Sequence, residues 1–145
     1  MNVQSILNAK GDQVATVTPD ASLADAAAEL RDRGVGALVV SSDGRTLKGI
    51  LSERDVVRAL AAHGASALGR TVSSTMSVNV VTCAAQDSVE SLMAAMTERR
   101  IRHLPVVDSD GALAGIVSIG DVVKLRLVQL ESENQALHEY VHQGR

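Results

Sequence analysis

Two serine–aspartate pairs in this chain share one spacing. Ser52 and Asp55 lie in the run GILSERDVV (49–57), and Ser118 and Asp121 lie in GIVSIGDVV (115–123). Each pair follows an apolar stretch that reads as a strand and opens one that reads as a helix. A helix N-terminus offers unpaired N–H groups and partial positive charge, which favour an anion such as phosphate. A serine hydroxyl can donate to a phosphate oxygen, and an ionised aspartate accepts hydrogen bonds of the kind a ribose diol donates. Because a carboxylate repels phosphate, the set fits a nucleoside phosphate better than free phosphate. The same residues also have a plainer use, since serine and aspartate at a helix start are caps. At this point both readings stand.

The charged neighbours are not duplicated. Arg54 sits inside the first run where the second has Gly120, and Arg102 and His103 sit where the first copy has Gly36 and Ala37. Two clefts built from these copies should therefore be unequal, one of them the tighter phosphate site. A histidine facing such a cleft would make binding pH-sensitive.

Two other patterns fall short of chemistry. His138 and His142 in HEYVH would share a helical face, but only three residues follow them. A catalytic zinc needs three protein ligands in a protected cleft, so no metal site is expected. Cys83 has no Cys-x-x-Cys partner and reads as a small strand-end residue in the place of Pro19.

The elements that position the pairs repeat with them. GALVVS and RHLPVVD read as strands carrying Val35, Leu38 and Val40 or Ile101, Leu104 and Val106. Asp43-Gly44 and Asp110-Gly111 signal hairpin turns into TLKGILS and ALAGIVS. Upstream, Leu23, Ala26, Ala27 and Leu30 match Val89, Leu92, Met93 and Met96, at the spacing of one helical face. Ser22 and Ser88 sit where caps belong, after short strands ending at Thr18 and Thr82. Each copy thus reads strand, helix, strand, strand, helix. Short helices at 3–7 and 72–76 echo one another. Two such units should pack about a pseudo-two-fold axis in an α/β fold.

With these residues in view, the chain resembles a tandem pair of CBS domains (named for cystathionine beta-synthase) over roughly residues 3–126. The resemblance implies motif 1 with an N-terminal helix at 1–66, motif 2 at 67–126 and a C-terminal helical extension at 127–145. It also implies that Asp55 and Asp121 bind ribose hydroxyls, Ser52 and Ser118 bind phosphate, and Thr18 and Thr82 line the clefts. An adenine would then be read by main-chain groups of Gly36, Ala37 and Leu38, and of Arg102, His103 and Leu104. For Arg54 and Arg102, phosphate contact and solvated surface charge are the alternatives.

Composition narrows the function. With one Tyr and neither Phe nor Trp, any base must lie between aliphatic side chains, which argues against single-stranded nucleic acid. A net charge of −3 argues the same way for nucleic acid generally. No apolar run is long enough to span a membrane. One cysteine excludes an internal disulfide and points to the cytoplasm. In the tail, Leu127, Asn134 and Val141 fall at a positions and Leu130 and Leu137 at d positions of two heptads, which suits homodimer contact. The alternative is a helix folded back on its own body. The expected function is a non-catalytic regulatory module that binds AMP, ADP or ATP, requires no cofactor and signals to a protein effector in trans. The alternative is a dimerisation module with vestigial clefts, or clefts for S-adenosylmethionine or NAD(H).

Overall fold

Each repeat's first long helix is bounded by the side chains that best end helices. In α2 (Leu23–Arg33) the Ser22 hydroxyl accepts from Asp25 N at 3.1 Å, and Gly34 closes the helix with φ 63°. In α5 (Val89–Arg99) Ser88 accepts from Ser91 N at 3.0 Å. Leu23, Ala26 and Leu30, and likewise Val89, Leu92 and Met96, are buried. Met93, expected on the same face, is 38% exposed. Its i+4 position lies at the edge of a stripe that three residues at i, i+3 and i+7 already fill.

The computed structural model describes residues 1–143, so residues 144 and 145 of the expected C-terminal extension lie outside the described residues. β2 (Ala37–Val40) and β3 (Gly49–Ser52) pair antiparallel from Ala37↔Ser52 to Val40↔Gly49. β4 (His103–Val107) and β5 (Leu113–Ser118) repeat the pattern from His103↔Ser118 to Val106↔Gly115, with a bulge before Val107↔Leu113. Val35 and Ile101, read as strand residues, fall before these strands. The first hairpin's turn is held by the Asp43 carboxylate, which accepts from Arg45 N at 2.8 Å and Thr46 N at 2.7 Å.

β1 (Thr16–Val17) adds a parallel third strand to the first hairpin. Its counterpart shrinks to one bridge, Cys83↔Val106. Pro105 is the cause: it stands where Val39 donates to Ala15 O at 3.0 Å, and proline has no N–H to donate. The bridge also corrects the alignment of the copies. Cys83 pairs as Val17 does, so Thr82 corresponds to Thr16 and Thr18 to Ala84, and Cys83 does not stand in for Pro19.

Packing divides the chain differently from the sequence division at 66/67. α1 (Val3–Lys10) buries Val3, Ile6 and Leu7 in the core of the second half, beside Leu92, Leu104 and Val117. The 3-10 turn Gly64–Gly69 and α4 (Val72–Thr75) bury Ala67 and Val72 in the core of the first half. The two short helices dock alike. Val3 N donates to Asp87 O as Val72 N donates to Ala21 O, and Gln4 N to Ala85 O as Ser73 N to Pro19 O. This docking explains the repeated glycine. A Cβ on Gly115 would meet Leu7 at 2.7 Å, and one on Gly49 would meet Met76 at 2.7 Å.

α3 (Glu53–His63) closes the first half. α6 (Ile119–Gln143) closes the second through Val122 and Leu125, then runs on as an uninterrupted helix. Leu127, Leu130, Leu137 and Val141 are all at least half exposed, so this segment does not fold back on its own body.

Candidate functional site

α3 starts where β3 ends, and the Ser52–Asp55 pair makes that junction. Asp55 Oδ2 accepts from Ser52 N at 2.9 Å and from Ser52 Oγ at 3.1 Å, while Ser52 Oγ accepts from Asp55 N at 3.2 Å. The capping reading is therefore realised in full. Even so, both residues line a cleft of about 480 Å³, within the size range of small-molecule sites. Among the described residues nothing donates to Asp55 Oδ1. In the first turn, Glu53 N donates to Gly36 O at 2.9 Å, and Arg54 N finds no acceptor among the described residues.

The facing wall comes from the second half. Gly36, Ala37, Ser52, Arg54, Asp55, Arg102 and His103 all line this cleft. Leu38 and Leu104 do not line it. Their neighbours Ala37 and His103 do, and alternation along a strand turns the leucines into the two cores. Thr18 and Thr82 are exposed and do not line it either; residues 77 and 79–81 occupy that side. Ile50, Val80, Val81 and Ile101 supply an aliphatic slot.

Arg58, Arg99, Arg100 and Asn79 also line the cleft, and the sequence reading missed them. Two signals were available: Arg58 is one helical turn beyond Arg54, and Arg99-Arg100 adjoins Arg102. Arg100 is the one non-glycine residue with positive φ among the described residues, at 54°. Its counterpart is Gly34, also left-handed at 63°. A side chain in this conformation costs about 1–2 kcal/mol.

Ser118 and Asp121 repeat the cap, Ser118 N donating to Asp121 Oδ2 at 2.9 Å and Asp121 N to Ser118 Oγ at 3.2 Å. They do not join the first cleft. Here Lys10 Nζ reaches Asp121 Oδ2 at 2.7 Å and Ile116 O at 3.0 Å. Burial pushes the Asp121 carboxyl up, but Lys10 and Ser118 outweigh it and hold it below the usual carboxylate range. By the docking of the short helices, Lys10 corresponds to Asn79, so Asp55 and Asp121 differ in the residue set beside them. His103 packs against Gly36, where a Cβ would meet its ring at 3.1 Å. Burial lowers its pKa below the ordinary value, against the pull of Glu53 and Asp121, so it is neutral at pH 7.

The His138 and His142 rings meet at 3.0 Å on the exposed tail, and among the described residues no group of three metal-ligating side chains forms. Nor is any helix among them long and apolar enough to cross a membrane.

A family model described as "CBS domain" matches residues 9–62 and again 72–128. The chain belongs to the CBS-domain family and carries a pair of CBS motifs. Among relatives, it is 35% identical over 143 residues to the CBS domain-containing protein YhcV of Bacillus subtilis, covering 98% of this chain and 99% of that one. It is 36% identical over 131 residues to the mitochondrial CBS domain-containing protein CBSX3 of Arabidopsis thaliana, covering 88% of this chain but spanning only 63% of that relative. Among solved structures, the CBS-domain containing protein ATU1752 of Agrobacterium tumefaciens matches at TM-score 0.81 and 47% identity, covering 86% of this chain and 98% of that one. The CBS domain pair of protein MJ0100, solved in complex with 5′-methylthioadenosine and S-adenosyl-L-methionine, matches at TM-score 0.73 and 25% identity, covering 86% and 98%.

Proposed function

We propose that this chain is a non-catalytic regulatory module that binds adenine nucleotides (AMP, ADP or ATP) in the Asp55 cleft and signals in trans to a protein effector in the cytoplasm. The observation that carries this reading is the opposition of Asp55 and the α3 N-terminus to an arginine-rich wall across an aliphatic slot. In this arrangement the adenine lies among Ile50, Val80, Val81 and Ile101, and Asp55 Oδ1 accepts from the ribose. The Arg54 N–H and the guanidinium groups face the phosphates. Ser52 serves as the cap, because its hydroxyl already donates to and accepts from Asp55. A ligand that bridges α3 of one half to β4 of the other favours one geometry of the two halves, and that population shift is the signal.

The adenosyl ligands bound to the MJ0100 pair support a nucleoside-shaped cleft. S-adenosylmethionine itself suits this one less well, since its sulfonium would face arginines. NAD(H), with a pyrophosphate, remains compatible. A dimerisation module with vestigial clefts is the competing class.

Thermal shift separates these readings. A nucleotide at a hundredfold excess over its Kd should stabilise the protein by roughly 2.7 kcal/mol, or about 5–10 °C in Tm. Asp55→Asn keeps an acceptor for the cap but loses the charge-assisted bond to ribose, so Kd should rise about tenfold. No shift with any adenine nucleotide would favour the dimerisation module.

A further inference from the structure

We infer that the Asp55 cleft selects ligands with two or more phosphates over monophosphates, and that Arg58, Arg99 and Arg100 set this preference. The inference rests on the nucleotide reading above and adds to it the class of ligand.

Charge is the first argument. Arg54, Arg58, Arg99, Arg100 and Arg102 line this one cleft of a chain whose net charge is −3. Only Glu53 and Asp55 among the lining residues oppose them, and His103 is neutral at pH 7. Ion pairs elsewhere on the molecule hold Lys10, Arg31 and Arg33, yet none of the five cleft arginines has an ion-pair or hydrogen-bonded acidic partner among the described residues. Five arginines around one cleft repel one another, and an anion lying among them offsets that repulsion. A monophosphate dianion can engage one or two forks. A di- or triphosphate offers the length and charge to engage α3 and the opposite wall together.

Backbone is the second argument, and it is independent of the first. Arg100 holds a left-handed conformation that its counterpart Gly34 adopts without a side chain. The helix end alone asks only for glycine. An arginine placed there against local preference, and lining the cleft, fits a role in the ligand-bound state. Beside Asp121 the positions matching Arg54, Arg100 and Arg102 are Gly120, Gly34 and Gly36. Those matching Arg58 and Arg99 are Lys124 and Arg33, the latter already paired with Glu29, so the other half keeps a thinner set of cations.

Isothermal titration with AMP, ADP and ATP at one salt concentration, on the whole chain, tests the inference. ATP should bind about tenfold or more tightly than AMP, with ADP between them. Arg100→Gly should weaken ATP about fivefold to tenfold and AMP less than twofold, while raising Tm because the left-handed residue becomes glycine. Arg58→Ala should reproduce the selective loss without the rise in Tm. Equal affinities for AMP and ATP, or equal losses for both in the variants, would overturn the inference and leave the nucleotide reading intact. No binding of any of the three would overturn both.

Discussion

Cys83 and Val17 occupy one place in the two halves, yet only one of them carries a reactive group. Each is buried at 8% exposure and each pairs with the central strand of its half. The sulfur sits 3.8 Å from Pro105 O, and burial, helped by Asp87, pushes its pKa up to about 11. At pH 8 only about one molecule in a thousand would then hold a thiolate, the reacting form. Labelling of the native protein with an aromatic disulfide reagent should therefore run orders of magnitude slower than in urea, where one thiol per chain should react at once. Rapid native labelling would mean that the strand opens readily, or that the thiol serves a redox purpose. His103 obeys the same burial physics with a functional consequence. Neutral in the free cleft, where burial with Lys10 and Arg102 outweighs Glu53 and Asp121, it joins the positive wall on acidification. A bound phosphate should raise its pKa, so binding just above the free value should take up a proton, measurable as buffer-dependent heat in titration calorimetry.

At the scale of elements, α1 matters more for what its last residue does than for its length. Lys10 ties α1 to the start of α6 through Asp121, in a pair whose side chains are 31% and 22% exposed. The folded Asp121 carboxyl lies below its ordinary value, near 3.9 in an unfolded chain. The pair therefore stabilises the fold at neutral pH, and the stabilisation fades as pH falls from the unfolded value through the folded one. Lys10→Met should cost about 0.5–1 kcal/mol at pH 7, and the gap to the parent should narrow by pH 3 in urea titrations. A gap of equal size at both pH values would assign the loss to packing instead. None of this was legible beforehand, because Lys10 and Asp121 lie at opposite ends of the chain and nothing in either motif points to the other. Local signals fared better: Ser22, Ser52 and Ser88 cap where their types and spacing require, and both hairpins turn at their aspartate–glycine pairs. The first strand of the second half was misjudged. Pro105, which denies it a hydrogen bond, sits in a different strand from the one it shortens. The threonines were misaligned for a related reason: short strands before a helix carry too few residues to set their own register. In the cleft, Asp55 was readable from the spacing the repeats share, and Arg54, Arg102 and His103 from mismatches between them. Arg58, Arg99 and Arg100 lay next to those signals in the sequence, but only the fold shows that both sets line one cleft.

The whole molecule presents one surface that its own fold leaves uncovered. Beyond Leu125, α6 carries Leu127, Leu130, Leu137 and Val141 outward at 50–61% exposure, in the a and d places of two heptads. Two heptads are too short to hold two chains together alone. Val57 and Leu60 on α3, and Ile119 and Val123 at the start of α6, are exposed as well, so a second copy could extend the contact along both closing helices. We expect a homodimer in solution, with Asn134 between the leucines favouring two strands over more. Leu130→Asp together with Leu137→Asp should shift the protein to monomer in light scattering at micromolar concentration while leaving the fold of both halves intact by circular dichroism. A parent that is monomeric at that concentration would remove the tail from the dimer argument. A doubly substituted protein that stays dimeric would place the interface on α3 and the start of α6 alone. If the tail does join two copies, the same variant should still bind nucleotide in the Asp55 cleft, because no residue of that cleft lies beyond His103. Ligand affinity and assembly would then be separable, and a change in dimer affinity on adding ATP would measure the coupling that a regulatory module needs.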